Sequence, residues 1–524
     1  MLKNWLSLSL STLALASAQG AAEPALWVPR VFSHNAVLQR SDRVPVWGRA
    51  LAGAPVDVAC AGQQAQTRAG ADGKWAVRLN LSAAAQGPFD LSIRSGSDRC
   101  TLTNILIGEV WLCSGQSNMR FHLSRATGGE AEAAGANDPE LRLLNVGLQA
   151  SDKPAADIRE RWAVCTPETA GSFSAVGYYV GSELRKRLKV PVGVICASWA
   201  GTCIEAWMPR ATLESDEDFT PILKRWDKKV ADFPAQKAAF ETNKVALMAA
   251  WSEACAKARK ESRPEPLKPG PGAGYPGSLD TPSGMYNGSI LPVAPYALRG
   301  VVWYQGEQNG GRGYQYRKLL PALIRDWRML WDRGDFPFVV VQLPNFGKVQ
   351  DQPRFSLWAD TREAQALAAA SVTNTYLAVS IDLGEDADVH PKEKRTLGLR
   401  VARIVEKEVY ALPVKGNIYG PTYTRMSVEP GGIRIFFDHA QGLMTSDAKA
   451  LSGFAVAGAD KNFVWADAVI EGDTVLARSP NVKEPVAVRY NWADAPHGNL
   501  RNADKHPAAP FRTDDFKPPT FGNR

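Results

Sequence analysis

The chain has 524 residues, 45% of them hydrophobic and 22% charged, with a formal net charge of +7. That length holds two or three domains and a large core, and the composition excludes a disordered or fibrous chain. So small a charge, with no dense basic run, argues against nucleic acid as a partner.

The first residues read as an export signal. Lys3 supplies a positive start, Leu6 to Ala16 is apolar, and Ala16-Ser17-Ala18 fits a cleavage site. Residues 1–18 are therefore assigned to a signal peptide, and the mature protein is expected in the periplasm or outside the cell. The apolar run is too short to span a bilayer, and no later run is long enough either. Seven cysteines follow, an odd number. Export permits disulfides, and Cys60 with Cys100 or Cys196 with Cys203 could pair. No zinc-like spacing occurs, and neither metal nor cofactor is expected.

Residues 28–105 read as a β-sandwich region. Val44–Gly48, Val56–Val58, Trp75–Leu79 and Phe89–Ile93 are short strand-like runs, and Ala71-Asp72-Gly73-Lys74 is a turn. From residue 106 to 412 the pattern alternates strand and helix. Ile107–Cys113, Val190–Trp199, Leu298–Tyr304, Phe338–Leu343 and Tyr376–Ile381 read as strands. Ser174–Leu188, Tyr316–Leu330 and Lys392–Tyr410 carry apolar residues at helical spacing. This predicts an α/β domain with a parallel sheet covered on both faces. Residues 211–284 interrupt the rhythm with a Lys/Glu/Ala-rich helical stretch and a Pro/Gly-rich loop. They form an insertion that either walls a substrate cleft or is a solvated decoration. Residues 413–520 return to β character, as an independent sandwich or as the completion of the first one.

Ser117, Gly201, Asn309 and the loop with Asp388 and His390 each follow closely on a predicted strand. In an open parallel sheet these are carboxyl ends, where ligands bind. Serine needs a base to become a nucleophile. Of six histidines, His34, His439, His497 and His506 fall in the β-regions, and His122 lies too near Ser117 in sequence to be a clear choice. His390 remains, with Asp388 two residues before it and, in an extended loop, on the same side. The oxyanion of an attacked carbonyl needs donors, which the Ser117 and Gly201 N–H groups and the Asn309 amide could supply. Ordinary caps and turns are the competing readings for each residue alone. Gly115-Gln116-Ser117-Asn118-Met119 lacks the last glycine of the α/β-hydrolase nucleophile elbow. Cys113 belongs to the strand run and reads as a buried thiol.

Ser114-Gly115-Gln116-Ser117-Asn118-Met119, Trp303 to Asn309 and Val389-His390-Pro391 resemble the blocks of SGNH hydrolases. More narrowly, they resemble the sialate O-acetylesterase branch and its polysaccharide acetylesterase relatives. Ala197 to Trp207, Phe32 to Arg40 and Pro510 to Asp515 are similar to further blocks of that branch. The resemblance implies a three-layer flavodoxin-like core with β accessory regions and metal-independent deacetylation. It also implies Ser117 as nucleophile, His390 as base, and Gly201 and Asn309 as oxyanion donors, with Gln116, Gln305 and Glu307 as substrate contacts. The wider SGNH pattern D-x-x-H would place the acid at Ala387, so Asp388 is chosen, with Glu385, Asp386, Asp382 or a Ser-His dyad left open. Arg120, Arg125 or Arg312 could bind a sialic acid carboxylate. Trp199, Trp207, Tyr286, Trp303 and Tyr314 could stack on a neutral glycan. An acetylated plant cell-wall polysaccharide, xyloglucan or xylan, is the preferred substrate, with O-acetylated sialic acid second. A non-catalytic carbohydrate-binding protein is the reading of another class.

Overall fold

The computed structural model describes residues 26–524 apart from 262–264, 267, 273 and 276. The signal peptide assigned to 1–18 lies outside the described residues.

One strand organises the fold. β1 (Asp98–Gly115) runs for 18 residues. Its first third alternates between exposed and buried residues, as a half-covered strand does. From Ile105 onward it is continuously buried, the signature of a strand covered on both faces. The sandwich end of β1 pairs antiparallel with Phe89–Ser95, while its far end pairs with parallel strands on both sides. The expected boundary at 105/106 therefore falls inside a single strand.

The other core strands are β2 (Asp138–Asn145), β3 (Val192–Ser198), β4 (Gly300–Tyr304), β5 (Phe338–Val341) and β6 (Thr375–Ala378). They lie in the order β2-β3-β1-β4-β5-β6, all parallel. Without β2, which the sequence reading missed, the order is flavodoxin-like. The chain leaves β1 towards one side and returns on the other, so the carboxyl end of β1 is a topological switch point.

Helices cover both faces. α2 (Ala175–Leu188) and α6 (Lys394–Ile404) bury Val176, Val180, Leu397 and Val401 against Trp111, Cys113, Val302 and Val339. α4 (Gly313–Trp331) and α5 (Leu357–Ser371) lie on the opposite face, where Leu319, Leu323, Trp327 and Ala364 meet Leu112, Val301, Trp303 and Val340. Successive residues of β4 thus serve opposite cores. The expected helix over 392–410 is shorter, because the chain changes to a wider turn over Val405–Val409.

The insertion contains a short helix, Arg210–Ser215, and α3 (Thr220–Lys260). At about 1.5 Å per residue α3 is about 60 Å long. Only its two ends bury side chains, Ile222, Leu223 and Trp226 at one and Cys255 and Ala258 at the other. The segment after it runs back along it. Phe233 meets Tyr275 with centroids 5.4 Å apart, and Lys229 Nζ donates to Asp280 at 2.5 Å.

The last region forms two four-stranded antiparallel sheets around its own core of Ile433, Ile435, Phe454, Val475, Val488 and Tyr490. It is a separate sandwich and does not complete the first. All seven cysteines are free thiols, so neither suggested pair forms a disulfide.

Candidate active site

Ser117 opens α1 (Ser117–Arg120), a single turn immediately after β1. Gly115 has φ +137°, and a Cβ there would lie 2.1 Å from the Tyr304 carbonyl oxygen. Only glycine lets β1 and β4 stay this close as the chain turns out to present the serine. The first N–H groups of a helix have no intrahelical acceptor, so the Ser117 amide is available to a ligand. Gly201 has φ +73°, and a Cβ there would meet nothing nearer than Leu279 Cδ1 at 3.9 Å. Leu279 belongs to the insertion, which thus approaches the Gly201 turn.

Hydrogen bonds gather the loops. Trp199 N donates to Gly115 O at 3.1 Å, bringing the Gly201 loop beside the nucleophile turn. Gln305 Nε2 donates to Gln116 Oε1 at 3.2 Å, Thr202 O at 3.1 Å and Asn309 Oδ1 at 2.8 Å. Asn309 Oδ1 also accepts from Ile204 N at 2.9 Å, and its Nδ2 donates to Glu205 Oε2 at 3.0 Å. One Asn309 N–H is left for a ligand. Asn118 Nδ2 donates to Val389 O at 2.9 Å, so the residue after Ser117 is bonded to the residue before His390. Ser117, Gly201, Asn309 and His390 thus converge.

The His390 ring is half-buried, with Nδ1 3.5 Å from Asp388 Oδ1. Asp388 Oδ1 also accepts the His390 backbone N–H at 2.9 Å. Burial pulls the imidazole below its ordinary pKa. Asp388 opposes this, and Lys394 and Arg125 reinforce it. The other acids are engaged elsewhere. Asp386 accepts from Asn345 Nδ2 and meets His497 Nε2, both at 2.8 Å. Glu385 accepts from Lys392 N at 2.8 Å, and Asp382 pairs with Arg400 at 3.0 Å.

Gln116 and Gln305 are buried, and their amides bond to the protein. Gln305 is tied to the framework through both amide atoms, while Gln116 accepts through Oε1 from Gln305 Nε2 and the Gly306 and Gln308 N–H groups. Glu307 accepts from Asn118 Nδ2 at 2.6 Å, its other oxygen is sealed from solvent, and burial raises its pKa. Arg312 is paired with Glu205 at 2.6 Å, and the Arg125 guanidinium lies 5.1 Å over the Phe121 ring. Arg120 instead lines a cavity of about 390 Å³ beside α1, together with His122, Asn145, Arg161 and Ser198. Trp207 and Trp303 are core residues, with ring centroids 6.1 Å apart. Tyr314 packs on Phe521, and Trp199 is partly exposed in the Gly201 loop. Among the described residues no three His, Cys, Asp or Glu side chains are grouped so as to hold a metal ion. No described helix is long and apolar enough to cross a membrane.

The sequence reading missed two buried residues beside Ser117, Asn118 and Lys394. Lys394 Nζ donates to Asn118 Oδ1 at 2.6 Å. Its only signal was a lysine four residues after His390, at a helix start.

Comparison with known proteins agrees with this architecture. Residues 287–407 match the family model described as carbohydrate esterase, sialic acid-specific acetylesterase. The sialate O-acetylesterase of Mus musculus is 27% identical over 513 residues, covering 89% of this chain and 90% of its own length. That of Homo sapiens is 28% identical, covering 70% of this chain and 68% of its own length. The crystal structure of a carbohydrate acetylesterase from Xanthomonas citri superposes with a TM-score of 0.78 at 33% identity, covering 94% of this chain and all (100%) of that one. The chain belongs to the sialate O-acetylesterase-like family of SGNH carbohydrate esterases.

Proposed function

We propose that this protein is an exported serine esterase that removes O-acetyl groups from a glycan without a metal. The observation that carries the reading is the bond from Asn118 Nδ2 to Val389 O, which holds the Ser117 turn against the His390 loop. In the proposed reaction His390 takes the Ser117 proton as Oγ attacks the acetyl carbonyl. The Ser117 and Gly201 N–H groups and Asn309 Nδ2 hold the oxyanion. The tetrahedral intermediate collapses, His390 protonates the departing sugar oxygen, and acetyl-Ser117 remains. Water, deprotonated by His390, then releases acetate and restores the serine. Asp388 stabilises the imidazolium formed in both steps.

Two glycan classes stand. A neutral plant-wall polymer, acetylated xyloglucan or xylan, fits the partly exposed Trp199 and the approach of the insertion to the Gly201 turn. O-acetylated sialic acid is favoured by the arginine-lined cavity beside α1 and by the similarity to the mammalian sialate O-acetylesterases. Export is supported by the pattern of residues 1–18 alone.

The test is acetate release by wild type and Ser117→Ala on acetylated xyloglucan, acetylated xylan and O-acetylated sialic acid. Wild-type release abolished by the substitution is expected. Equal release from the variant would sink the nucleophile, and no wild-type release on any ester would sink the enzyme.

A further inference from the structure

Lys394 opens α6 and is 1% exposed, with its ammonium 5.0 Å from the Phe121 ring centroid and 5.3 Å from that of Tyr304. Burying a lysine is costly, and such a residue persists where it is hydrogen-bonded and paired. Nζ donates a hydrogen bond to Asn118 Oδ1 at 2.6 Å. Asn118 is itself fully buried, and its Nδ2 reaches both Glu307 Oε1 at 2.6 Å and Val389 O at 2.9 Å. One amide therefore joins four segments: the nucleophile turn, the Asn309 loop, the His390 loop and the start of α6.

Donor and acceptor inventories fix how that amide faces. An ammonium only donates, while a carbonyl and an ionised carboxylate only accept. With Lys394 on one side and Glu307 and Val389 on the other, Oδ1 must face the lysine and both Nδ2 hydrogens must face the acceptors. Turning the amide over would set oxygen against oxygen twice and nitrogen against the ammonium. The Val389 carbonyl, which only accepts, requires Nδ2 on its side and Lys394 donates to Oδ1 on the other, so these two partners fix the orientation of Asn118 and with it the link from Ser117 to His390.

We propose that Lys394 is a positioning residue of the esterase, holding Ser117 and His390 in reactive register through Asn118. The inference rests on the serine-esterase reading above. Lys394 is buried beneath α1, so its loss acts on the chemical step and not on substrate binding. Burial pulls the ammonium pKa down to about 7, while Glu307, Glu385 and Asp388 counteract that fall.

The test compares wild type, Lys394→Met and Ser117→Ala on p-nitrophenyl acetate and on the preferred acetylated glycan. Competent sites are counted by titration with a fluorophosphonate, so that an unfolded fraction lowers the titre and not the turnover per site. Methionine keeps the stem and removes the donor. Misplacement of reacting groups by about 1 Å costs about a hundredfold. The expected result is kcat per titrated site lowered roughly ten- to a hundredfold, with KM within about twofold of wild type. An unchanged kcat, or a loss carried by KM, would overturn the proposal. Should Lys394→Met not fold, Asn118→Asp is judged by the same two outcomes. It keeps the acceptor for Lys394 and sets oxygen against Val389 O. Activity surviving in Ser117→Ala would refute the esterase reading instead, so the two failures are distinguishable.

Discussion

Asp388→Asn is the sharpest probe of the base. It removes one negative charge 3.5 Å from His390 Nδ1 and keeps an oxygen that can accept the His390 backbone N–H. The charge matters when the imidazolium forms. At 3.5 Å a full pair is worth about 1 kcal/mol at the dielectric of water and about 5 kcal/mol at an effective constant of 20. The Asp388 side chain is 48% exposed, so the lower end applies. About 1–2 kcal/mol of lost transition-state stabilisation predicts kcat lower by roughly five- to thirtyfold. A buried triad acid is worth far more, about 10⁴ in kcat. The pH profile gives an independent sign. As the proposed base, His390 would act when neutral, so kcat/KM is expected to fall as pH drops through its pKa. Burial already sets that pKa below the ordinary 6.5, and Asp388 is the group that opposes the depression. Its removal moves the acid limb to still lower pH. The assay is kcat and kcat/KM on p-nitrophenyl acetate from about pH 4 to 9, a span chosen to bracket ordinary carboxylate and histidine pKa values. A loss under twofold, a loss of several thousandfold, or an acid limb moving upward would refute the argument.

Two further predictions concern stability and specificity. Asp326 accepts from Thr212 Oγ1 at 2.8 Å, and burial pushes its carboxyl up to about 6. A raised carboxyl pKa means that the fold loses stability as pH climbs from about 4 to about 6 and stays at that lower level above. Asp326→Asn keeps the Thr212 bond and should raise thermal stability at pH 7.5 by about 1–2 kcal/mol, discounted for solvent screening. The advantage should vanish at pH 4, and a variant less stable at pH 7.5 would contradict the sign. Arg120→Met should raise KM on O-acetylated sialic acid about ten- to a hundredfold, the range for a charged hydrogen bond. It should leave neutral xyloglucan oligosaccharides within about twofold, and an unaltered sialate KM would remove Arg120 from carboxylate recognition.

The alternation of strand and helix was legible because the second half of β1 and all of β3, β4 and β5 are mostly apolar, as doubly covered strands must be. The convergence of Ser117, Gly201, Asn309 and His390 followed from their places after strands. β2 was not legible, since Asp138, Glu140 and Arg142 interrupt its leucines. Arg142 is nonetheless 2% exposed, because its guanidinium reaches the carbonyls of Asn35 and Pro139. That compensation crosses 107 residues and leaves no local trace. An amide in a site motif can face either ligand or protein, so the bonds of Gln305 to Thr202 O, Asn309 Oδ1 and Tyr316 Oη were not legible in the sequence. The Lys394–Asn118 bond spans 276 residues and follows no helical or strand period. Long-range polar satisfaction is the part of this site that a sequence pattern does not encode.

The same accounting explains why a sandwich follows the catalytic core. The His390 loop has little regular structure and takes its shape from its neighbours. Its Asp386 is held by His497 of the C-terminal sandwich and by Asn345, and its Asp382 meets Arg501. Gly347 N donates to Asp386 O at 2.9 Å, and Phe346 N donates to Asp494 O at 3.1 Å. Between these segments lies Arg362, 1% exposed, which donates to the carbonyls of Leu343, Pro344, Ala493 and Asp494 at 2.6–2.9 Å. A guanidinium has five donors in a fixed plane. Here it joins the loop after β5 to the sandwich, and that loop in turn holds the segment carrying the base. The C-terminal sandwich is thus a structural part of the active site: without it, Asp386, Asp382 and Arg362 would each lose partners that fix where His390 stands.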